Sequence, residues 1–334
     1  MEKVEGDRTL GAGEDGMIVL VTGAAGFIGS NLVRSLVTSG ARTRVLDDLS
    51  TGSLANLEEM EAEFEWIQGD VRDPDTVRRA IDGTEIVFHL AALPSVARSM
   101  ANPQATNSVN VNGTLNLLLT ARQAGVRRFV YASSSSVYGD TPVLPKHEGM
   151  APSPLSPYAA SKLAGELYCR AFAHAYGLET VCLRFFNVFG PRQDPESEYA
   201  AVVPRFITRM LAGHRPIVFG DGDQSRDFTF VANAIDACLL ASSAGQEAVG
   251  ETMNIACGDR ITLLDLIAEL NALLGTGLAP EFVPPRPGDV RHSLADISKA
   301  ERLLGYRPSV PVRKGLSDTV GWFASRQSTP VSHR

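Results

Sequence analysis

Tyr158 and Lys162 stand four residues apart in the run SPYAASK, so a helix there carries both on one face. A phenol that must release and regain a proton near neutral pH needs its pKa brought down from about 10, and a neighbouring ammonium does this by favouring phenolate. Upstream, the stretch YASSSSVYGD (residues 131–140) crowds four serines behind an apolar run. By itself that crowding reads as a solvated loop; beside a tyrosine–lysine pair it offers a hydroxyl that can share the proton being moved. A third cluster, VTGAAGFIGS, sets Gly23, Gly26 and Gly29 in the pattern G-x-x-G-x-x-G directly after an apolar strand. Glycine is needed there because the tight turn, the approach of backbone N–H groups to a pyrophosphate and the helix–strand packing each exclude a Cβ. Asp47 follows Gly29 by 18 residues at the end of the next strand, where a carboxylate can accept hydrogen bonds from an adenosine ribose. Asp47 and Asp48 repel a 2′-phosphate and favour NAD over NADP, with Arg44 arguing the other way.

The elements that must position these residues follow from the hydrophobic pattern. From Met17, short β-branched runs alternate with helical segments: MIVLVTG, a helix over 27–39, RTRVLDD, EFEWIQGD, a helix over 74–81, and EIVFHLAA. The unit repeats as GTLNLLLTARQAG before VRRFVYASS, and as a helix over 156–176 before ETVCLRFFNV. Strands spaced this way predict right-handed βαβ units, hence an α/β protein built on a Rossmann-type doubly wound parallel sheet. Past Asn187 the text turns loop-rich (GPRQDPESE, FGDGDQSRDF, FVPPRPGDVRH), which predicts a smaller C-terminal α/β substrate domain at the carboxyl ends of the strands.

Composition narrows the partners. The 334 residues are 44% hydrophobic and 21% charged, enough apolar material for one large core or two smaller ones. A net charge of −7 supplies no basic field for nucleic acid or anionic membrane, and no run approaches the ~18 consecutive apolar residues of a membrane helix. Cys169, Cys182, Cys238 and Cys257 lie far apart without a C-x-x-C pair, so neither a zinc site nor a disulfide framework is expected, and a reducing cytoplasm fits best. The six histidines have no metal spacing, and His89 reads as a core or groove-lining residue.

Taken together, TGAAGFIGS, GDVRD, HLAA, VNGT, SSSSVYG, YAASK, RFFNVFGPRQDP, GDGDQSRDF and RPGDVRHSLADISKA resemble the extended short-chain dehydrogenase/reductases, and among them the UDP-hexose 4-epimerases, in pattern most of all those acting on UDP-N-acetylglucosamine. The resemblance spans Met17 to Phe323. It implies an NAD-binding domain over 17–187 to which segments near 230–258 return and a nucleotide-sugar domain over 188–325; residues 1–16, which mix Glu, Asp and Gly with few apolar positions, read as a disordered leader, and 326–334 as a flexible tail. Ser134 matches the family's catalytic hydroxyl, beside Tyr158 and Lys162. Gly23, Gly26, Phe27, Ile28 and Gly29 match the pyrophosphate turn and Asp47 the ribose carboxylate. Asp70 and Val71 match the border of adenine, Leu90, Ala91, Ala92 and Asn110 the cofactor groove, and Phe186 the nicotinamide wall. Asn187, Ala201, Val202, Val218, Arg226, Arg286, Asp289 and Ser293 match positions that hold the nucleotide sugar, the arginines meeting the diphosphate. The partners implied are NAD, a UDP-sugar and a second copy of the chain, which relatives bind through helices near 109–124 and 157–176.

The implied reaction is C4 epimerisation through a transient 4-keto sugar with NAD retained. Ser293 and Ala201 are small where enzymes restricted to non-acetylated sugars carry tyrosine and asparagine, which favours UDP-N-acetylglucosamine over UDP-glucose; Pro94, in place of a glycine, argues the other way. Related 4,6-dehydratases carry Thr-Asp-Glu where this chain has Ser134-Ser135-Ser136, so dehydration lacks its acid pair. Arg192 keeps UDP-glucuronate epimerisation or decarboxylation open, and an idle NAD-binding sensor is the reading outside catalysis.

Overall fold

In this computed structural model, residues 17–195, 201–285 and 290–327 are described. The chain begins with β1 (Ile18–Thr22), α1 (Phe27–Thr38), β2 (Arg42–Asp47), β3 (Phe64–Gln68), α2 (Pro74–Ile81) and β4 (Thr84–His89). Two short helices follow, α3 (Val96–Ala101) and α4 (Pro103–Asn107), and a wide turn over Ser108–Gly113 joins α4 to α5 (Thr114–Gln123). Next come β5 (Arg128–Ser134), α6 (Pro157–Tyr176) and β6 (Glu179–Phe185).

These strands are parallel, in the order β6-β5-β4-β1-β2-β3. Strand order reverses at β1, so the carboxyl ends of β1 and β4 diverge and leave a crevice. The central strands β1, β4, β5 and β6 are apolar on both sides, with alternate residues on opposite faces. Val19, Val21, Val45, Ile86, Phe88 and Val130 pack on the side of α1, whereas Leu20, Leu46, Val87, Phe129 and Tyr131 pack on the side of α2, α5 and α6. Fully burying such a side chain is worth about 1.5–3 kcal/mol, which ties helix positions firmly to the sheet.

Beyond β6 the chain forms β7 (Val188–Phe189), α7 (Val202–Leu211), β8 (Ile217–Phe219), β9 (Ser225–Arg226), β10 (Thr229–Phe230) and α8 (Val231–Ser243). β11 (Thr252–Ile255) then pairs in parallel with β6 as a seventh strand. The rest is β12 (Ile261–Thr262), α9 (Leu263–Leu274), β13 (Glu281–Val283), α10 (Ser298–Leu304) and α11 (Val312–Gln327). Three two-stranded pairs, β7 with β10, β8 with β13 and β9 with β12, frame a region lying past the carboxyl end of β6.

Local chemistry sets the helix that matters most. Ser156 caps α6 by accepting from the Ala159 N–H at 3.1 Å, Pro157 sits in the first turn, and the helix stops at Gly177 with φ +71°. No described helix is long and apolar enough to cross a membrane.

Candidate active site

The glycine turn lies between β1 and α1, at the point where the sheet order reverses. Gly23 has φ +70°, and a Cβ there would stand 2.6 Å from the Ala91 nitrogen; a Cβ on Gly29 would stand 2.1 Å from the Gly23 carbonyl oxygen. Gly26 leads into α1 without a side-chain cap, and the first turn of the helix has no acidic residue. Its free amides and positive dipole end therefore face the crevice, as an anion requires. Asp47 ends β2 beside this turn. Its Oδ2 accepts from the Ala25 N–H at 2.9 Å and its Oδ1 from the Leu49 N–H at 2.8 Å, leaving one lone pair on each oxygen for ribose hydroxyls. Burial raises the Asp47 pKa above the usual carboxylate value, against the pull of those two amides. Arg44 is committed elsewhere: it donates to Glu65 Oε2 at 2.8 Å and to the carbonyls of Ala80 and Asp82 at 2.9 and 2.5 Å. It cannot serve a 2′-phosphate without breaking these bonds, which removes the argument for NADP.

A cavity of about 1120 Å³ runs from this turn along the strand ends. It brings together Gly23, Gly26, Phe27, Ile28, Gly29, Asp47, Val71, Leu90, Ala91, Ala92, Ser134, Tyr158, Lys162 and Ala201. A second cavity of about 270 Å³ begins where the first meets Ala201 and Val188, and is lined by Asn187, Val202 and Arg226.

Other expected residues stand elsewhere. Asp70 is not on the wall; Arg72 grips its carboxylate at 2.8 Å, lowering its pKa, while Gly69 and Val71 line the cavity. Asn110 lies fully buried behind the wall, accepting from Leu93 N–H at 2.8 Å and donating to Ser161 Oγ at 3.0 Å, so it ties the loop after β4 to α6. Phe186 is buried against Tyr138, ring centroids 6.2 Å apart, and Phe185 faces the cavity in its place. Val218 is buried in the core, and its neighbours Ile217 and Phe219 line the second cavity, because successive strand side chains point to opposite faces. Ser293 lines neither cavity; Asn187 Nδ2 donates to Ser293 Oγ at 3.5 Å, which links it to the second cavity's wall. Arg286 and Asp289 lie outside the described residues.

The walls also hold residues that the motifs did not single out. The loop Ser50–Asn56 closes over the glycine turn, with Asn56 Nδ2 donating to the Ala25 carbonyl at 2.9 Å. Its cluster of turn formers directly after Asp47 and Asp48 was the available signal. Trp322 and Phe323, from α11, line the far end with no sequence signal at all.

The candidate catalytic groups Ser134, Tyr158 and Lys162 meet at the carboxyl end of β5. Lys162 Nζ donates to the Ala132 carbonyl at 2.9 Å, and an ammonium has two further donors for the cavity. Desolvation lowers its pKa to about 8, with Glu166 and then Cys169 opposing. Tyr158 departs from the expectation set by its spacing. Burial raises the phenol pKa, and the hydrogen bond to Ser134 works against it, while the lysine is turned to the strand carbonyl. The four serines divide the labour. Ser134 faces the cavity and accepts from Ser136 N–H at 3.2 Å and Ser136 Oγ at 2.9 Å, which fixes its rotamer; Ser133 points the other way and donates to Glu166 Oε1 at 2.5 Å. His89 is a core residue between the hydroxyls of Thr22 and Thr114, both at 2.8 Å, with burial pushing its pKa down to about 3. No cluster of metal-ligating side chains occurs among the described residues.

A dinucleotide fits what is present: a turn whose two tightest positions would be filled by a Cβ, an uncapped helix start, a ribose-facing carboxylate and a cavity long enough to continue to Lys162. The comparisons agree. The chain is 42% identical over 314 residues to the UDP-glucose 4-epimerase of Mycolicibacterium smegmatis, covering 93% of this chain and 99% of that one. The structure of a UDP-N-acetylglucosamine 4-epimerase from Methanobrevibacter ruminantium M1, in complex with UDP-N-acetylmuramic acid, matches at TM-score 0.89 and 38% identity over 93% of this chain and 99% of that one. A UDP-glucuronic acid 4-epimerase from Bacillus cereus, in complex with UDP-glucuronic acid and NAD, matches at TM-score 0.86 and 33% identity over 93% and 100%. The family profile described as the NAD dependent epimerase/dehydratase family matches residues 19–256, and with the glycine turn, Asp47 and the Ser134–Tyr158–Lys162 group on one cavity wall, the chain belongs to that family.

Proposed function

We propose that this chain is an isomerase that interconverts the C4 epimers of a UDP-hexose, with UDP-N-acetylglucosamine and UDP-N-acetylgalactosamine as its main pair. The observation that carries the reading is the convergence of Ser134, Tyr158 and Lys162 on the wall of the long cavity, which meets the second one at Val188 and Ala201.

In the cycle, Tyr158 as phenolate takes the proton of the C4 hydroxyl, and Ser134 hydrogen-bonds the same oxygen so that the proton has a defined path. NAD⁺, when held by the glycine turn and Asp47, would supply the hydride acceptor and donor for C4, together with a positive charge that favours phenolate. The residues then hold the 4-keto sugar by its nucleotide, through Asn187 and Arg226, while the hexose turns over. Tyr158 returns the proton when the other face is presented, so the sugar leaves neither oxidised nor reduced. Dehydration needs an acid and a base for C5 and C6, and Ser134-Ser135-Ser136 supplies neither. Arg192, the residue that would meet a uronate carboxylate, lines the long cavity and donates to Asn31 Oδ1 on α1 at 3.2 Å, so UDP-glucuronate is kept as an arm of the test. Separate incubations with UDP-N-acetylglucosamine, UDP-glucose and UDP-glucuronate, with the C4 epimers resolved, test the reading; no epimer from any of them defeats it.

Sugar choice rests on space. Ser293 sits behind Asn187, and Ala201 lines both cavities with only a methyl group. An acetamido group at C2 adds several heavy atoms that must pass through the turnover, and a phenol at 293 would meet them. Ser293→Tyr is expected to lower kcat/KM for UDP-N-acetylglucosamine by roughly 100-fold or more and to leave UDP-glucose within a few-fold. Equal loss on both sugars removes Ser293 from the specificity argument.

A second copy of the chain is part of the proposal. Leu119 on α5 and Leu167 and Tyr168 on α6 are large apolar side chains exposed at the surface. Light scattering is expected to give twice the chain mass of 35.8 kDa; a monomer at micromolar concentration contradicts it.

A further inference from the structure

Glu166 is a carboxylate in the packed interface between α6 and the sheet, where an apolar side chain would serve stability as well. It and Arg184 are each about 5% exposed. Arg184 holds it with both arms of the guanidinium, Nε to Oε1 at 2.8 Å and Nη2 to Oε2 at 2.7 Å, and Ser133 adds a third bond to Oε1 at 2.5 Å. Three connections lead from this network to the site. Ser133 is the residue before Ser134. Arg184 lies 4.7 Å above the ring of Tyr138, which closes the turn that Ser134 caps. Tyr158, Lys162 and Glu166 follow one another at i, i+4 and i+8 on one face of α6.

We infer that Glu166 is a positioning residue for the proposed epimerisation, anchored by Arg184 and Ser133, whose negative charge keeps Lys162 an ammonium beside Tyr158. The groups that face Lys162 are Tyr158, Glu166 and Cys169 from α6, Tyr131 from β5 with its ring 5.1 Å from Nζ, and His89 from β4. Burial keeps the Cys169 thiol and the Tyr131 phenol neutral by raising their pKa values, and keeps His89 neutral by lowering its own. Glu166 is therefore the one anion in this set. Removing its charge takes away the larger of the two effects that oppose desolvation, so Lys162 gives up its proton at lower pH and the alkaline limb of the rate profile moves down.

The test is kcat/KM against pH for wild type and Glu166→Gln with the best UDP-hexose, beside a lysine-selective NMR titration of Lys162 that needs no turnover. The expected result is an alkaline limb, and a Lys162 titration, about one pH unit lower in the variant. Ser133→Ala removes a hydrogen bond but no charge and should leave the limb in place. Where Glu166→Gln leaves Arg184 too unstable to fold around, the double variant Glu166→Gln/Arg184→Gln has no lone buried charge and is expected to shift the limb in the same direction by a smaller amount, because the Arg184 cation is removed with the anion. A rate lowered uniformly across pH, with the Lys162 titration unmoved, overturns the inference. If wild type epimerises no UDP-hexose, the proposed function fails, and the NMR titration still decides the role of Glu166.

Discussion

Tyr158→Phe is expected to lower turnover by about 10² to 10⁴-fold, the usual contribution of a general acid–base group, while the protein still folds and still loads with NAD. The substitution removes only the hydroxyl. Tyr158 is half-buried on the cavity wall at the start of α6, and its ring, which carries the packing, stays in place. Among the described residues the nearby phenols do not stand ready to replace it, because Tyr131 is sealed in the core and Tyr138 is committed to Asn254 Oδ1 at 2.7 Å. Ser134 remains but cannot hold a negative charge near neutral pH, so a residual rate from positioning alone is what should survive. Measuring initial rates together with the NAD content of the purified variant separates chemistry from binding. A variant that kept more than about half of the wild-type rate would show that the proton moves by another route.

Gly29→Ala should cost the enzyme its cofactor. The new Cβ would lie 2.1 Å from the Gly23 carbonyl oxygen and 2.8 Å from the Ala24 Cα, and both are backbone atoms of the turn itself. Relief requires α1 to move away from β1, which pulls the free amides of the helix start from the position a pyrophosphate needs. Overpacking of this kind costs on the order of 3 kcal/mol, and if it falls on cofactor binding, NAD is held about 100-fold more weakly. Gly277→Ala is the control, since nothing lies within 4 Å of a Cβ there and the site is remote in sequence from every cavity residue. The check is NAD content after purification and the rise in melting temperature on adding NAD. Unchanged loading of Gly29→Ala would mean that the turn does not hold the pyrophosphate.

What this sequence determined by itself was whatever depends on near neighbours along the chain. The parallel sheet was legible because β1, β2, β4, β5 and β6 are short apolar runs separated by helical ones. Tyr158 and Lys162 share a face through the pitch of one helix, and the three glycines mark a turn whose stereochemistry is local. Only the tertiary structure decided the rest, because each remaining feature depends on atoms far apart in sequence. Whether Phe185 or Phe186 faces the cavity, and whether Val218 or its neighbours do, depends on the phase in which a strand is presented, and a slip of one residue inverts it. Arg44 was taken out of the cofactor argument by carbonyls more than thirty residues away. The pKa of Tyr158 is raised, against the direction its spacing implied, because desolvation is a property of the folded interior and exceeds the effect of a single partner. Glu166 could be placed on the right helix face from its number, but its meaning came from Arg184 and Ser133, which only the packing of α6 against β5 and β6 brings to it.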